Sequence, residues 1–354
     1  MIRCRQRWQE SVSVPERGER SMEGVGKKMR LVGMGEALFD LFGDQEVMGG
    51  APLNMAFHAR QLTQLAHEVK TFPDASVAVV SSIGRDRLGD AIASQLVAHG
   101  VETDWLQRHP ELPTGTVRVE LAAGEPTYTI VEGVAWDHLV WDHPLQRLAE
   151  SCSGVCFGTL AQRHPASRLT ISHFLESARH AHRLLDINLR PPFIDTPSLR
   201  FSCQHATLLK CNSAELKLLM QVFDCVMPED REGLERSEDL PSPWLAAVQQ
   251  LMEKLPAESL LVTRGALGCT LIDRKAYCSG SPVTLDRQPD ADSVGAGDAT
   301  AATFLAGVLG GWSPARIVAV ANWYGAWVAS RRGATPSLDA SARTALTALL
   351  LQNV

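Results

Sequence analysis

The spacings that hold a zinc ion are missing from this chain: its eight cysteines and eleven histidines contain no C-x-x-C pair, no matching Cys/His quartet and no H-E-x-x-H. The cysteines therefore read as reduced, mostly packed thiols, as expected of a cytoplasmic protein. A basic excess is missing too. With 34 Lys and Arg against 40 Asp and Glu, and no Lys/Arg run interleaved with aromatics, nucleic acid is not expected as a partner. No apolar run is long enough to span a bilayer: residues 299–312 and 317–330 are each too short and are split by Ser313-Pro314, so no membrane partner is expected. The P-loop pattern G-x-x-x-x-G-K-[ST] is absent, since Gly26-Lys27-Lys28 lacks both the first glycine and the hydroxyl. Gly33-x-Gly35 is a fragment of a dinucleotide fingerprint whose third glycine would fall at Leu38, which leaves a Rossmann dehydrogenase with weak support. Internal repeats and low-complexity tracts are also absent.

What remains is a globular chain of 354 residues, 45% hydrophobic, able to bury a large core. Residues 1–28 are rich in Arg, Glu, Ser and Gly without periodicity, and are expected to be a disordered extension. From residue 29 onward, strand-like runs alternate with helical patterns. Residues 31–42 read as one buried strand leading outward, residues 53–65 as an apolar helix, residues 77–83 as a strand and residues 87–99 as a helix. Short apolar strands are expected at 154–158, 183–187, 206–210 and 259–263, and helices fill the C-terminal part. Such alternation argues for a layered α/β fold around a largely parallel sheet. Residues 116–121 and 127–131 have period two around a turn at 123–126, which predicts a hairpin standing outside the core. A hairpin of this kind could cover a site, and its exposed apolar edge makes a homodimer an expectation. Residues 221–243 read as a solvated surface loop.

The segment Asp292-Ser293-Val294-Gly295-Ala296-Gly297-Asp298 carries the strongest chemical signal. Glycines 295 and 297 let successive N–H groups point at one spot, and the helix that follows adds the positive end of its dipole. That spot suits phosphate, and Asp298 in the first helical turn could take the proton of an attacking hydroxyl. The same helix end is expected to lower the Asp298 pKa and weaken it as a base. A capped, Gly-rich helix start accounts for the segment equally well when it is taken alone.

Other segments share this ambiguity. Gly49-Gly50-Ala51-Pro52-Leu53-Asn54 places N–H groups and an amide at a helix start, where they could meet sugar hydroxyls or simply cap a turn. Asp40 could accept two polyol protons or merely be solvated. Asn212 and Glu215, after an expected strand, suit magnesium-bound water near a triphosphate, with a helix-capping box as the competing reading. Thr263-Arg264-Gly265-Ala266-Leu267-Gly268 is a strand end and glycine turn against which a nucleotide could lie.

In this order, the segments resemble the ribokinase-like (pfkB) carbohydrate kinases from about Met29 on. Residues 49–56 and 292–298 are similar to that family's two signatures, with supporting matches at 82–89, 186–191, 212–215 and 262–268. The resemblance implies a three-layer αβα sandwich with a small β-sheet lid, from segments at about 36–48 and 104–132, and ATP and Mg²⁺ as cofactors. It implies Asp298 as catalytic base and Gly295, Ala296 and Gly297 as anion hole. Asp40, Gly49, Gly50, Asn54 and Arg190 would bind sugar, and Asn212, Thr263, Gly265, Gly268, Gly297 and Asn322 ATP. Glu215 would serve Mg²⁺ through water, while Asp292, Val294 and Gly333 would frame a monovalent-cation (K⁺) loop. Residues 113–117, 124–128 and 135–137 look closest to bacterial fructokinases, which implies D-fructose as substrate. Ser293 departs from the usual Thr but keeps the hydroxyl. The competing readings are a kinase for a sugar acid such as 2-keto-3-deoxygluconate, whose carboxylate Arg190, Arg163 or Arg118 could meet, another sugar or nucleoside kinase, and a catalytically silent sugar- or nucleotide-binding regulator.

Overall fold

Strand β5 (Ala75–Ile83) is buried at all nine positions, as a β-rich run covered on both faces should be. In the computed structural model, which describes residues 3–5, 28–43, 45–122, 125–237 and 239–352, it lies next to the edge of a ten-stranded sheet. The order is β1 (Arg3–Arg5), β14 (Tyr277–Ser279), β13 (Cys269–Ile272), β12 (Ser259–Thr263), β11 (Leu208–Asn212), β10 (His182–Asp186), β9 (Gly154–Phe157), β2 (Met29–Met34), β5 and β6 (Leu106–Arg108). Pairing is parallel from β12 to β6 and antiparallel from β12 to β1.

Successive strand side chains point to opposite faces, and each face has its own apolar core. Leu31, Val77, Leu184 and Leu208 join the helices Ala51–Glu68, Ala296–Leu309, Pro314–Ala329 and Ala340–Leu351. Val32, Val80, Leu185 and Leu209 join the other face with the helices Pro165–Ser177, Ser213–Val222 and Ser242–Glu253. The result is the expected αβα sandwich. A separate four-stranded sheet, in the order β4 (Gln45–Gly49), β3 (Leu38–Phe42), β7 (Gly115–Ala122) and β8 (Glu125–Ile130), stands over one end of it.

Several expectations need correction. Residues 31–42 form two strands in different sheets, because the chain bends at Gly35 (φ +149°), where a side chain would press on Pro52. Residues 106–108 belong to the large sheet as β6, so the second lid segment begins only at β7. Strands β13 and β14, short and without a helix between them, escaped the search for alternation. Within the extension expected to be disordered, Arg3–Arg5 pairs with β14; residues 6–27 lie outside the described residues. Residues 221–243 are more than a solvated loop, since a short helix (Gly233–Arg236) and Leu240 bury apolar side chains there. Among the described residues six cysteines form no disulfide, as expected, but Cys278 is disulfide-bonded. No described helix is long and apolar enough to cross a membrane.

Candidate active site

Strand order reverses between β2 and β9, since β5 continues on one side of β2 while β9 lies on the other. The carboxyl ends of two such neighbours leave a crevice in which ligands of open α/β sheets bind. Here that crevice is a polar cavity of about 340 Å³ that receives Glu36 from beyond β2, Leu160 from beyond β9, Asn188 from beyond β10 and the start of the Ala296–Leu309 helix. The small sheet roofs it: Leu38 and Asp40, two apart on one face of β3, and Val117 on β7 look into it.

Asp298 enters this cavity from the first turn of its helix, and its Oδ2 accepts a hydrogen bond from Asn54 Nδ2 at 2.8 Å. Its pKa is raised to about 6, chiefly by burial and then by the Asp186 carboxylate, while Asn54, Lys210 and Arg190 pull it down. The expectation of a weak, acid-shifted base is thereby overturned: desolvation outweighs the helix end. Asp40 is likewise raised to about 6 by burial, against the opposing pull of Arg190. Gly50 caps the Ala51–Glu68 helix at φ +111°, where a side chain would collide with the Glu36 carbonyl. Gly49 leaves room for the Asp40 carboxylate, 2.9 Å from where a Cβ would stand.

The turn at Gly295, Ala296 and Gly297 separates this cavity from a second, mostly apolar cleft of about 480 Å³, and Ser293 and Gly297 line both. Gly295 sits at φ +81° as the helix N-cap, pressed against the Ala334 carbonyl so that no side chain fits. Thr263, Gly265, Gly268 and Asn322 line the second cleft. The carboxamide of Asn322 is already engaged there, with Oδ1 accepting from Cys269 N–H at 2.7 Å and Nδ2 donating to Ser281 O at 3.2 Å. Asn322 thus ties the Gly268 turn to the chain beyond β14.

Three groups at the site escaped sequence reasoning. Glu36 is buried, its Oε1 accepts from Ala51 N–H at 3.2 Å, its Oε2 has no partner, and burial pushes its pKa to about 7. Lys210 Nζ donates to both oxygens of Asp186 at 2.9 Å, a buried pair, and stands 3.4 Å from where a Gly297 Cβ would be. Burial works against the charge of Lys210, yet the Asp186 carboxylate prevails and holds its pKa above the ordinary value. Asn188 reaches the cavity from left-handed backbone (φ +39°), a conformation asparagine tolerates better than most residues. The apolar character of β10 and β11 was legible, but the convergence of their polar members was not.

Asn212 and Glu215 form the competing structure, a full capping box, with Asn212 Oδ1 accepting from Glu215 N–H and Glu215 Oε2 from Asn212 N–H, each at 2.9 Å. Glu215 Oε1 also accepts from Leu189 N–H at 2.8 Å. Among the described residues no three acidic, His or Cys side chains converge on a metal position. Both Glu215 oxygens thus serve backbone N–H groups, and their remaining lone pairs could meet a magnesium ion only through its bound water. Asp292 joins two loops: Oδ1 accepts from Val294 N–H at 3.0 Å and Oδ2 from Gly333 N–H at 3.2 Å, so the three residues grouped by sequence do meet.

Of the three candidate arginines only Arg190 lines the roofed cavity. Arg163 lies in a buried two-bond pair with Asp137, at 2.8 and 2.9 Å, with its guanidinium over the Trp136 ring. Arg118 follows Val117 in β7 and so points away from the cavity.

Comparison with known proteins identifies the family to which the chain belongs. A family model described as pfkB family carbohydrate kinase matches residues 31–341. An uncharacterized sugar kinase of Pyrococcus horikoshii is 24% identical over 325 residues, 87% of this chain and 93% of the relative. The structure of a fructokinase with bound ATP from Xylella fastidiosa has TM-score 0.68 at 22% identity, covering 90% of this chain and 97% of that one. A Vibrio cholerae fructokinase mutant in fructose, ADP and potassium ion bound form has TM-score 0.68 at 20% identity, covering 91% and 99%. Matched over most of its length by the family model, the chain belongs to the pfkB family of carbohydrate kinases.

Proposed function

We propose that this protein transfers the γ-phosphoryl group of ATP to a primary hydroxyl of a neutral ketohexose, D-fructose being the substrate of choice. In this reading the apolar cleft holds the nucleotide and the roofed cavity the sugar, with the Gly295–Gly297 turn between them. Asn54 occupies Oδ2 of Asp298 and leaves Oδ1 to take the hydroxyl proton as the new O–P bond forms and the bond to the ADP oxygen breaks. The N–H groups of Gly295 and Gly297, with the Lys210 ammonium nearby, would face the charge on the transferring group, while Ala296 N–H is turned to Ser293 O at 3.4 Å and does not join them as the sequence suggested. Asp40, Glu36 and Asn188 offer acceptors and a donor to the sugar hydroxyls, and Arg190 lines the same cavity with further donors. Magnesium supplies charge neutralisation of the phosphates when bound, and the Asp292-tied loop is the seat for potassium.

Charge carries the choice of substrate. Two carboxylates, Asp40 and Asp298, and the more readily protonated Glu36 face the cavity against one guanidinium, Arg190, so a sugar acid would add a further negative charge to a site where negative charge already prevails. Coupled measurement of ATP consumption on fructose and on 2-keto-3-deoxygluconate tests this. Preference for the sugar acid would overturn the substrate assignment, and absence of turnover on any sugar would overturn the kinase reading.

A further inference from the structure

His58 stands one helical turn beyond Asn54 and is wholly buried. Both ring nitrogens are engaged: Nε2 lies 2.9 Å from Ala334 O and Nδ1 lies 2.9 Å from Tyr324 Oη. A carbonyl only accepts, so Nε2 carries the hydrogen and Nδ1 accepts from the tyrosine. Burial holds the ring pKa down to about 4, which keeps this neutral form in place at physiological pH. Gln61, on the same helix, continues the network with Nε2 donating to Pro336 O at 3.2 Å and Oε1 accepting from Leu338 N–H at 2.8 Å. The segment from Ala334 to Leu338 has no regular structure of its own, so these side chains supply its hydrogen bonds.

The consequence lies on the other side of Ala334. Its carbonyl and Cα occupy the space where a Gly295 Cβ would stand, so they press on the left-handed backbone with which Gly295 begins the helix. We propose that His58 is a positioning residue for the anion hole, setting through Ala334 where the backbone of Gly295 stands. One helix then orients both halves of the reaction centre: Asn54 holds the base, and His58 holds the support of the hole. Sequence reasoning had no access to this, since a histidine on an apolar helix face reads as a packed core residue.

The catalytic part of the proposal rests on the phosphoryl-transfer reading above, so its test has two readouts. His58→Leu keeps most of the volume and removes the donor, whereas His58→Gln can still reach Ala334 O with an N–H. His58→Leu is expected to lower kcat about tenfold or more, because small misplacements of a preorganised site are costly, with the sugar KM little changed. Amide hydrogen exchange is expected to quicken at residues 293–297 and 333–338 while the central strands keep their protection. His58→Gln should restore most of both. Exchange at 293–297 as slow in His58→Leu as in the native protein would overturn the proposal, as would a His58→Gln variant as impaired as His58→Leu. Should His58→Leu not fold, Tyr324→Phe leaves Nδ1 without its donor, and the same changes at smaller amplitude are expected; unchanged exchange there overturns it as well. A native protein that turns over no sugar would defeat the kinase reading alone, and exchange would still decide this one.

Discussion

Asn54 Nδ2 and Asp298 Oδ2, 244 residues apart in sequence, lie 2.8 Å apart in the fold and join the first turns of two helices. This bond favours the charged carboxylate, whereas burial opposes it.

Asn54→Leu should therefore raise the Asp298 pKa further above about 6. Activity needs the unprotonated base, so the acid limb of the kcat/KM profile should move to higher pH, and most of the loss should appear below neutrality. A pH–rate series on the two proteins checks this, and an unmoved limb would count against Asp298 as the base.

Asp298→Asn keeps the shape and removes the proton acceptor. On the kinase reading kcat should fall about 10²-fold or more, with the sugar KM changed far less. Steady-state kinetics decide, and near-native turnover would remove Asp298 from the mechanism.

Glu36 is raised from 4.5 to about 7 by burial, so the folded state binds its proton more tightly than the unfolded chain does. Stability from this group is complete below the unfolded value and declines as pH rises to about 7. Glu36→Gln, which keeps an oxygen for Ala51 N–H, should leave the Tm unchanged at pH 4 and raise it at pH 8, the gain in stability being at most roughly 3–3.5 kcal/mol. Thermal melts across that range provide the check; equal effects at both ends would show that Glu36 is not held protonated by the fold.

Arg163→Met leaves the buried Asp137 carboxylate without its partner. A loss of about 3–5 kcal/mol is expected for breaking such a pair, read by denaturant unfolding, with the ratio of activities on fructose and sugar acid unchanged. A shift in that ratio would place Arg163 at the substrate after all.

A side chain at Gly268 would stand 2.7 Å from Asn322 Nδ2, and one at Gly280 would collide with the same atom. Gly268→Ala and Gly280→Ala should each displace the tie between the two walls of the apolar cleft and raise the KM for ATP severalfold, leaving the sugar KM near its native value. Titration of each substrate separately tells the two apart.

The alternation of apolar runs and helical patterns was enough to read a layered α/β fold, and the period-two hairpin to set a small second sheet outside the core; the sandwich and the lid were implied by the family resemblance. Alternation and hairpin are local patterns of burial, written into successive residues. The failures were of another kind. The bend at Gly35 depends on Pro52 lying beneath it, and the assignment of residues 106–108 to the large sheet depends on β5 lying beside them. At the site, glycines 295 and 297 and Asp298 were legible because a helix start with a bare turn is a short-range motif. Glu36, Lys210 and His58 were not, because each takes its meaning from a partner far away in the chain.

By itself, then, the sequence determined most of the strands and helices and the glycine-bearing helix start at 295–298, since backbone preference and periodicity act between neighbours. Only the tertiary structure decided that Asp298 is raised in pKa, that Arg163 is occupied elsewhere, and that carboxyls outnumber guanidinium in the cavity. Desolvation and Coulomb interactions depend on distance and burial in space, and no spacing along the chain encodes either.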